Sequence, residues 1–226
     1  VTVTLSAEPF VRWSWVAGHL HDIRIHFVEH IELTVIAVAI GLVISLPLAV
    51  YSHRHRRAYP PVTFVTGLMY TVPSLALFAF LVPFTGLTTT TAEIGLVSYT
   101  LLILIRNVVA GLAGVPEDVK DAARGMGYTD RQLLWRVELP LAAPVIVAGI
   151  RIATVTTIGL VTVTALIGKG GLGYFILKGY RESFPTSTLI GGVLSVLLAT
   201  LVDALLLFAQ RVLTPWARAS RVRAFA

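Results

Sequence analysis

Between Ala58 and Ala92 the chain carries no acidic, basic or histidine side chain. An uncharged stretch of that length, rich in Val, Leu and Phe, has few homes in water. About 20 apolar residues in a helix cross the ~30 Å hydrocarbon core of a bilayer. A span over about 62–84 therefore fits inside this run. Four more runs share its character: about 31–51, with Glu32 as its one charge; about 93–112, with Glu93 and Arg106; about 140–167, with Arg151; and about 186–209, with Asp203. Composition agrees. Charged residues make up 13% of the chain and mean hydropathy is +0.82, where a soluble domain carries about a quarter charged residues. The expectation is an all-α membrane protein with five spans. The absence of cysteine removes disulfides, zinc–thiolate sites and cysteine nucleophiles from consideration.

Basic residues orient the spans. Eleven fall on one side: Arg54, Arg56, Arg57, Lys120, Arg124, Arg131, Arg136, Arg211, Arg218, Arg221 and Arg223. Five fall on the other: Arg12, Arg24, Lys169, Lys178 and Arg181. The richer side is expected in the cytoplasm, which puts the N-terminus outside and the C-terminus inside and requires an odd number of spans. The net charge of +6 is then a topology signal, not a nucleic-acid footprint. Residues 1–29 mix Phe10, Trp13, Trp15 and Leu20 with charges and histidines, and read as an interfacial amphipathic segment rather than a cleavable signal peptide. Residues 30–213 form the membrane domain and 214–226 a basic cytoplasmic tail. Pro47, Pro73, Pro83 and Pro144 interrupt spans, and the backbone groups they free need partners in neighbouring helices or a wet cavity.

One polar segment, 115–139, lies between the third and fourth spans on the cytoplasmic side. Pro116 suits a first helical position, and Glu117 and Asp118 follow where the helix dipole favours acids. Val115, Val119, Ala122 and Met126 recur at helical spacing and predict one apolar face. Gly125 and Gly127 provide a stop. Thr129 with Gln132 forms a capping-box pattern that starts a second short helix, ending at Pro140. Helices this short need a surface to dock on. The segment holds four basic and five acidic side chains, so it offers no electrostatic footprint for phosphate.

The segment's pattern resembles the EAA motif of permease subunits of bacterial ATP-binding-cassette importers: Glu-Ala-Ala, three residues, Gly, nine residues, Ile-x-Leu-Pro. Here it stands as Asp121-Ala122-Ala123, Gly127, then Val137-Glu138-Leu139-Pro140, with Asp for Glu and Val for Ile. Thr71-Val72-Pro73-Ser74-Leu75-Ala76, Arg106-Asn107, Ala148-Gly149-Ile150-Arg151 and Ile167-Gly168-Lys169-Gly170-Gly171-Leu172-Gly173 are similar to permeases of glycine betaine, choline, carnitine and proline importers. The similarity covers about residues 30–215. It implies the five-span core of type I importer permeases in a bacterial cell membrane, moving a compatible solute by alternating access. It also implies a coupling helix, with Asp121, Ala122, Ala123, Gly127, Tyr128, Leu139 and Pro140 contacting a partner ATPase that binds ATP and Mg. Two further partners follow from it: a second permease subunit, identical or homologous, and an extracytoplasmic binding protein. The chain itself would then be no enzyme and hold no cofactor.

A quaternary ammonium solute would favour aromatic faces. Tyr70, Phe78 and Tyr99 are accordingly expected along the substrate pathway, with Phe80 and Phe84 available nearby; Pro73, Ser74 and Arg151 are expected there as well. Arg151 and Asp203 are lone charges inside spans and default to functional candidates. A direct pair between them is disfavoured, because Arg151 lies on the order of 16 Å in from Pro140 while Asp203 lies closer to the cytoplasmic end of its span. Gly168–Gly173 lacks the Gly-Lys-Ser/Thr ending of a phosphate loop and is expected to be a flexible turn. His26 and His30 share a helical face but lack a third ligand, so a metal site is disfavoured. The alternatives are a permease for another small solute, a secondary transporter or channel, and a structural anchor. Paired inverted halves or a relay of carboxylates would favour a secondary transporter; neither is evident.

Overall fold

A computed structural model describes residues 10–216; Arg218, Arg221 and Arg223 of the basic tail lie outside them. The described residues are helical, with no strand. They form α1 (Trp13–Gly18), α2 (Leu20–Arg54), α3 (Tyr59–Thr71), α4 (Ser74–Thr85), α5 (Thr89–Ala113), α6 (Glu117–Gly125), α7 (Asp130–Leu133), α8 (Leu139–Val161), α9 (Gly173–Arg181) and α10 (Pro185–Leu213). Four helical segments are long and apolar enough to cross a membrane, or five crossings if the bent pair α3–α4 counts as one.

α5 is the centre of the bundle, packed by α2, α8, α3 and α4. Small residues bring its neighbours close. Gly95 receives the ring of Phe78, Gly41 of α2 lies on Thr100, and Gly149 of α8 lies on Asn107; a Cβ at any of the three would collide with that partner. Two apolar clusters result. Leu33, Ala37, Phe78, Leu96, Val161 and Ile167 fill the half nearer the α4–α5 connection. Ala49, Ile105, Val108, Leu112 and Ala142 fill the half nearer α6. α10 packs on α8 and α9 and leaves Val196, Leu201, Leu205 and Phe208 more than half exposed.

The second predicted span is bent. Residues 62–84 are not one helix: α3 and α4, of 13 and 12 residues, meet at 94°. Proline bars its predecessor from helical geometry, and Val72 adopts φ −64, ψ 127. The Val72 carbonyl at the break accepts the Tyr99 hydroxyl at 2.5 Å. By contrast α2, α4 and α8 continue past Pro47, Pro83 and Pro144.

α2 has 35 residues, about 52 Å at 1.5 Å per residue. It begins at Leu20, so the expected division at 29/30 falls inside a helix. His30 is fully buried within it. Its Nε2–H donates to the Ile158 carbonyl at 3.0 Å and its Nδ1 accepts the Leu172 N–H at 3.3 Å. Both ring nitrogens thus serve the backbone, which fixes the tautomer and joins α2 to α8 and the Gly168–Gly173 loop. That loop is also corrected. Gly168–Gly173 is not a loose turn: Gly168 and Gly171 have φ of +77 and +47, and a Cβ at Gly170, Gly171 or Gly173 would strike Ala165, His30 or Thr162. Glycine is present because backbones touch there.

Candidate functional site

The polar segment folds close to its sequence signals at both caps. Pro116 precedes α6 as its N-cap, with Glu117 and Asp118 in the first turn. Glu117 accepts Lys120 Nζ at 3.1 Å and Arg124 Nη1 at 3.3 Å, and Asp121 accepts Arg124 Nη1 at 2.9 Å. Lys120 first and then Arg124 hold the Glu117 carboxyl below the usual carboxylate range, and Asp121 and Glu117 raise the Arg124 guanidinium. The helix ends as a Schellman turn: Tyr128 N–H reaches the Ala123 carbonyl at 3.2 Å, across Gly127 at φ +83. Nothing lies within 4 Å of a Cβ built on Gly127, so its requirement is conformational, not steric.

The buried face of α6 differs from the predicted one. Lys120 and Ala123 face inward, at 7% and 2% exposure, while Val119 and Met126 are 41% and 70% exposed and Asp121 and Ala122 are exposed beside them. The apolar pattern is real, but this chain leaves most of it uncovered. Behind α6 lies a charged crevice of about 810 Å³, lined by His53, Arg54, Lys120, Glu138, Val109 and Ala113 among others.

The second short helix also differs from expectation. Thr129 and Gln132 complete the capping box, with Thr129 N–H to Gln132 Oε1 at 2.9 Å and Gln132 N–H to Thr129 Oγ1 at 3.3 Å. The helix does not then stop at Pro140. α7 runs through a π-helical turn at Leu134–Glu138 into α8, and a 3₁₀ turn at Thr162–Ile167 extends it, so Asp130–Ile167 is one helical rod of 38 residues. Pro140 follows closely on the π-helical turn, so the rod passes through a proline that donates no backbone N–H. Leu139 and Pro140 are half-buried where the segment becomes the span. Arg54 Nη2 ties the end of α2 to the Asp130 carbonyl at 2.9 Å.

Arg151 and Asp203 do pair, against the depth argument. Arg151 Nε meets Asp203 Oδ1 at 3.0 Å and Nη2 meets Oδ2 at 2.8 Å, a two-pronged bridge between α8 and α10. The depths agree because α10 runs on to Leu213, which places Asp203 about 15 Å from that end. Gln210 accepts Arg151 Nη1 at 3.3 Å and donates to the Pro144 carbonyl at 2.8 Å. The sequence reading missed Gln210, although its spacing of seven from Asp203 puts both on one face of α10.

The other expected pathway residues gather at the α3–α4 break with unequal exposure. Tyr70 is 39% exposed and meets Tyr99 edge-on at 5.9 Å. Pro73 is exposed and Ser74 half-buried. Tyr99 is 5% exposed with its hydroxyl on Val72, and Phe78 is 1% exposed. These last two therefore pack the interior of this chain.

A bundle of long apolar helices, with one bent helix pair and a polar helical element continuous with a span, defines a membrane-embedded component. Residues 37–218 match the family described as binding-protein-dependent transport system inner membrane component, and the chain belongs to it. It is a multi-pass component of the cytoplasmic membrane. It is 37% identical over 187 residues to the choline transport system permease protein OpuBB of Bacillus subtilis, covering 83% of this chain and 86% of that protein. It is 37% identical over 204 residues to the osmoprotectant import permease protein OsmW of Salmonella typhimurium, covering 88% and 94%. The carnitine transport permease protein OpuCB of Listeria monocytogenes is 36% identical over 195 residues, at 86% and 89% coverage. In fold it is similar to a chain of the MetNI methionine ABC transporter in an inward-facing conformation, with TM-score 0.76 and 24% identity over 85% of this chain and 96% of that one.

Proposed function

We propose that this chain is the permease subunit of an ATP-driven importer of compatible solutes such as glycine betaine, choline, carnitine or proline. Its relatives carry solutes of this class. The observation that carries the mechanism is the rod Asp130–Ile167, which begins at the polar element and ends at the Gly168–Gly173 loop. α6 offers Asp121, Ala122, Val119 and Met126 to a groove of the ATPase, while Ala123, Gly127, Tyr128, Leu139 and Pro140 fix its angle to the rod. ATP and Mg are bound by that partner, and a binding protein delivers solute on the outer side. The N-terminus lies outside and the C-terminus inside. A second permease subunit completes the pathway, with Tyr70, Pro73 and Ser74 at the α3–α4 break presenting the aromatic and polar surface. Arg151 acts in this pathway through its bridge to Asp203.

The test is uptake of the four labelled solutes by the complete importer in liposomes. ATP- and binding-protein-dependent accumulation of at least one is expected. Gly127→Trp should retain membrane insertion while uptake and ATPase stimulation by the loaded binding protein are lost. Accumulation of a different solute class alone would move the substrate assignment, and normal uptake by Gly127→Trp would remove the coupling role.

A further inference from the structure

The described residues place a second arginine inside a span, and its surroundings are unlike those of Arg151. Arg106 lies in α5, seven residues before Ala113 and so about 10 Å in from that end. Its side chain is exposed, and no hydrogen bond, ion pair or ring contact holds it among the described residues. A guanidinium does not shed its proton in proteins, so this charge must meet water or an anion within the membrane's thickness. Two features supply the route. Val109 and Ala113, up to two turns toward the cytoplasmic end of α5, line the charged crevice behind α6. Ala110 and Ala113, on Arg106's own face, are exposed and small. In the other direction, the same face passes the half-buried Ile103 to the buried Tyr99, which braces the α3–α4 break beside the 39% exposed ring of Tyr70. Cα–Cβ bonds tilt toward a helix's N-terminus, so Arg106 starts out toward the break.

We propose that Arg106 recognises the carboxylate of zwitterionic solutes as they pass, and so favours glycine betaine, carnitine and proline over choline, which has no carboxylate. This rests on the reading of the chain as an osmoprotectant permease. The guanidinium offers paired N–H donors matched to a carboxylate, and its charge opposes a bare cation. A lipid phosphate or an acidic side chain of a second copy would satisfy the same charge, but neither would distinguish one solute from another.

The experiment compares uptake of labelled glycine betaine and choline by the complete importer in liposomes, with wild type, Arg106→Gln and Arg106→Lys. Arg106→Gln should lower the betaine-to-choline uptake ratio about tenfold or more, the size expected for a charged hydrogen bond, and Arg106→Lys should restore part of it. An equal loss for both solutes assigns Arg106 to lipid or subunit contact and overturns the proposal, as does an unchanged ratio. A wild type that carries choline but no zwitterion overturns it while leaving the permease reading intact; one that carries neither removes both. A wild type that carries only zwitterions is scored by Gln against Lys at equal complex assembly. Loss with Gln and recovery with Lys support the assignment, and equal loss with both overturns it.

Discussion

Two arginines sit at comparable depth in neighbouring helices and are treated in opposite ways. Arg151 makes three hydrogen bonds to Asp203 and Gln210, whereas Arg106 makes none among the described residues. The same division runs through the molecule. Along the α8–α10 seam, at the α3–α4 break and at the Gly168–Gly173 loop, polar groups are satisfied by the chain itself: Arg151 by Asp203, Tyr99 by Val72, His30 by two backbone groups. On α6 and on one face of α5, apolar and charged groups are left open. Groups satisfied internally set the shape of the bundle. Groups left open await something outside the chain.

Substitutions can break or sharpen that division. The largest expected effect is Asp203→Ala, which strands the Arg151 charge. Complete burial would cost about 3–5 kcal/mol; with Asp203 39% exposed, about 2–3 kcal/mol is expected in detergent unfolding. Arg151→Met with Asp203→Leu should recover most of that loss. A double variant no more stable than Asp203→Ala would show that the bridge is not the source. His30→Ala should follow at about 2 kcal/mol, since it orphans the buried Leu172 N–H and Ile158 carbonyl, with hydrogen exchange rising first in the Gly168–Gly173 loop. Thr129→Ala, on the open side, removes the capping box at about 1 kcal/mol and should depress coupled ATPase activity more than melting temperature. Tyr99→Phe should cost about 1 kcal/mol or somewhat less through the Val72 carbonyl, read as a lower melting temperature with assembly intact.

The smallest effect is a pH dependence of α6. The Glu117 carboxyl is held below its ordinary value, chiefly by Lys120. Its contribution is therefore complete above the unfolded carboxylate range and is lost as pH falls through the lowered value. Amide protection in α6 should weaken only under acid, and Glu117→Gln should flatten that response. A response of equal size in Glu117→Gln would assign it elsewhere.

Local features were legible in the sequence and long-range ones were not. The Thr129–Gln132 capping box joins side chains three residues from their partners, and the Gly127 turn rests on one residue's own φ. Of the prolines Pro47, Pro73, Pro83 and Pro144, only Pro73 marks a sharp break, and the carbonyl beside it is met by Tyr99, 27 positions along the chain. Periodicity found the apolar pattern on α6 but not the side that would be covered. Gly171 looked like slack because its contact, His30, lies on α2. The Arg151–Asp203 bridge was obscured by underestimating α10 by a single turn. The family resemblance, carried by short motifs, survived all of these differences.

The rod Asp130–Ile167 has one more consequence. The bridge to Asp203 grips it at Arg151, twenty-one residues from one end and sixteen from the other. A stiff beam held near its middle tips instead of sliding. Pressing the handle toward the membrane axis would swing the far end outward by roughly three-quarters as much, in proportion to the two arms at equal rise per residue. The two ends of the pathway would then move like the pans of a balance, with one closing as the other opens.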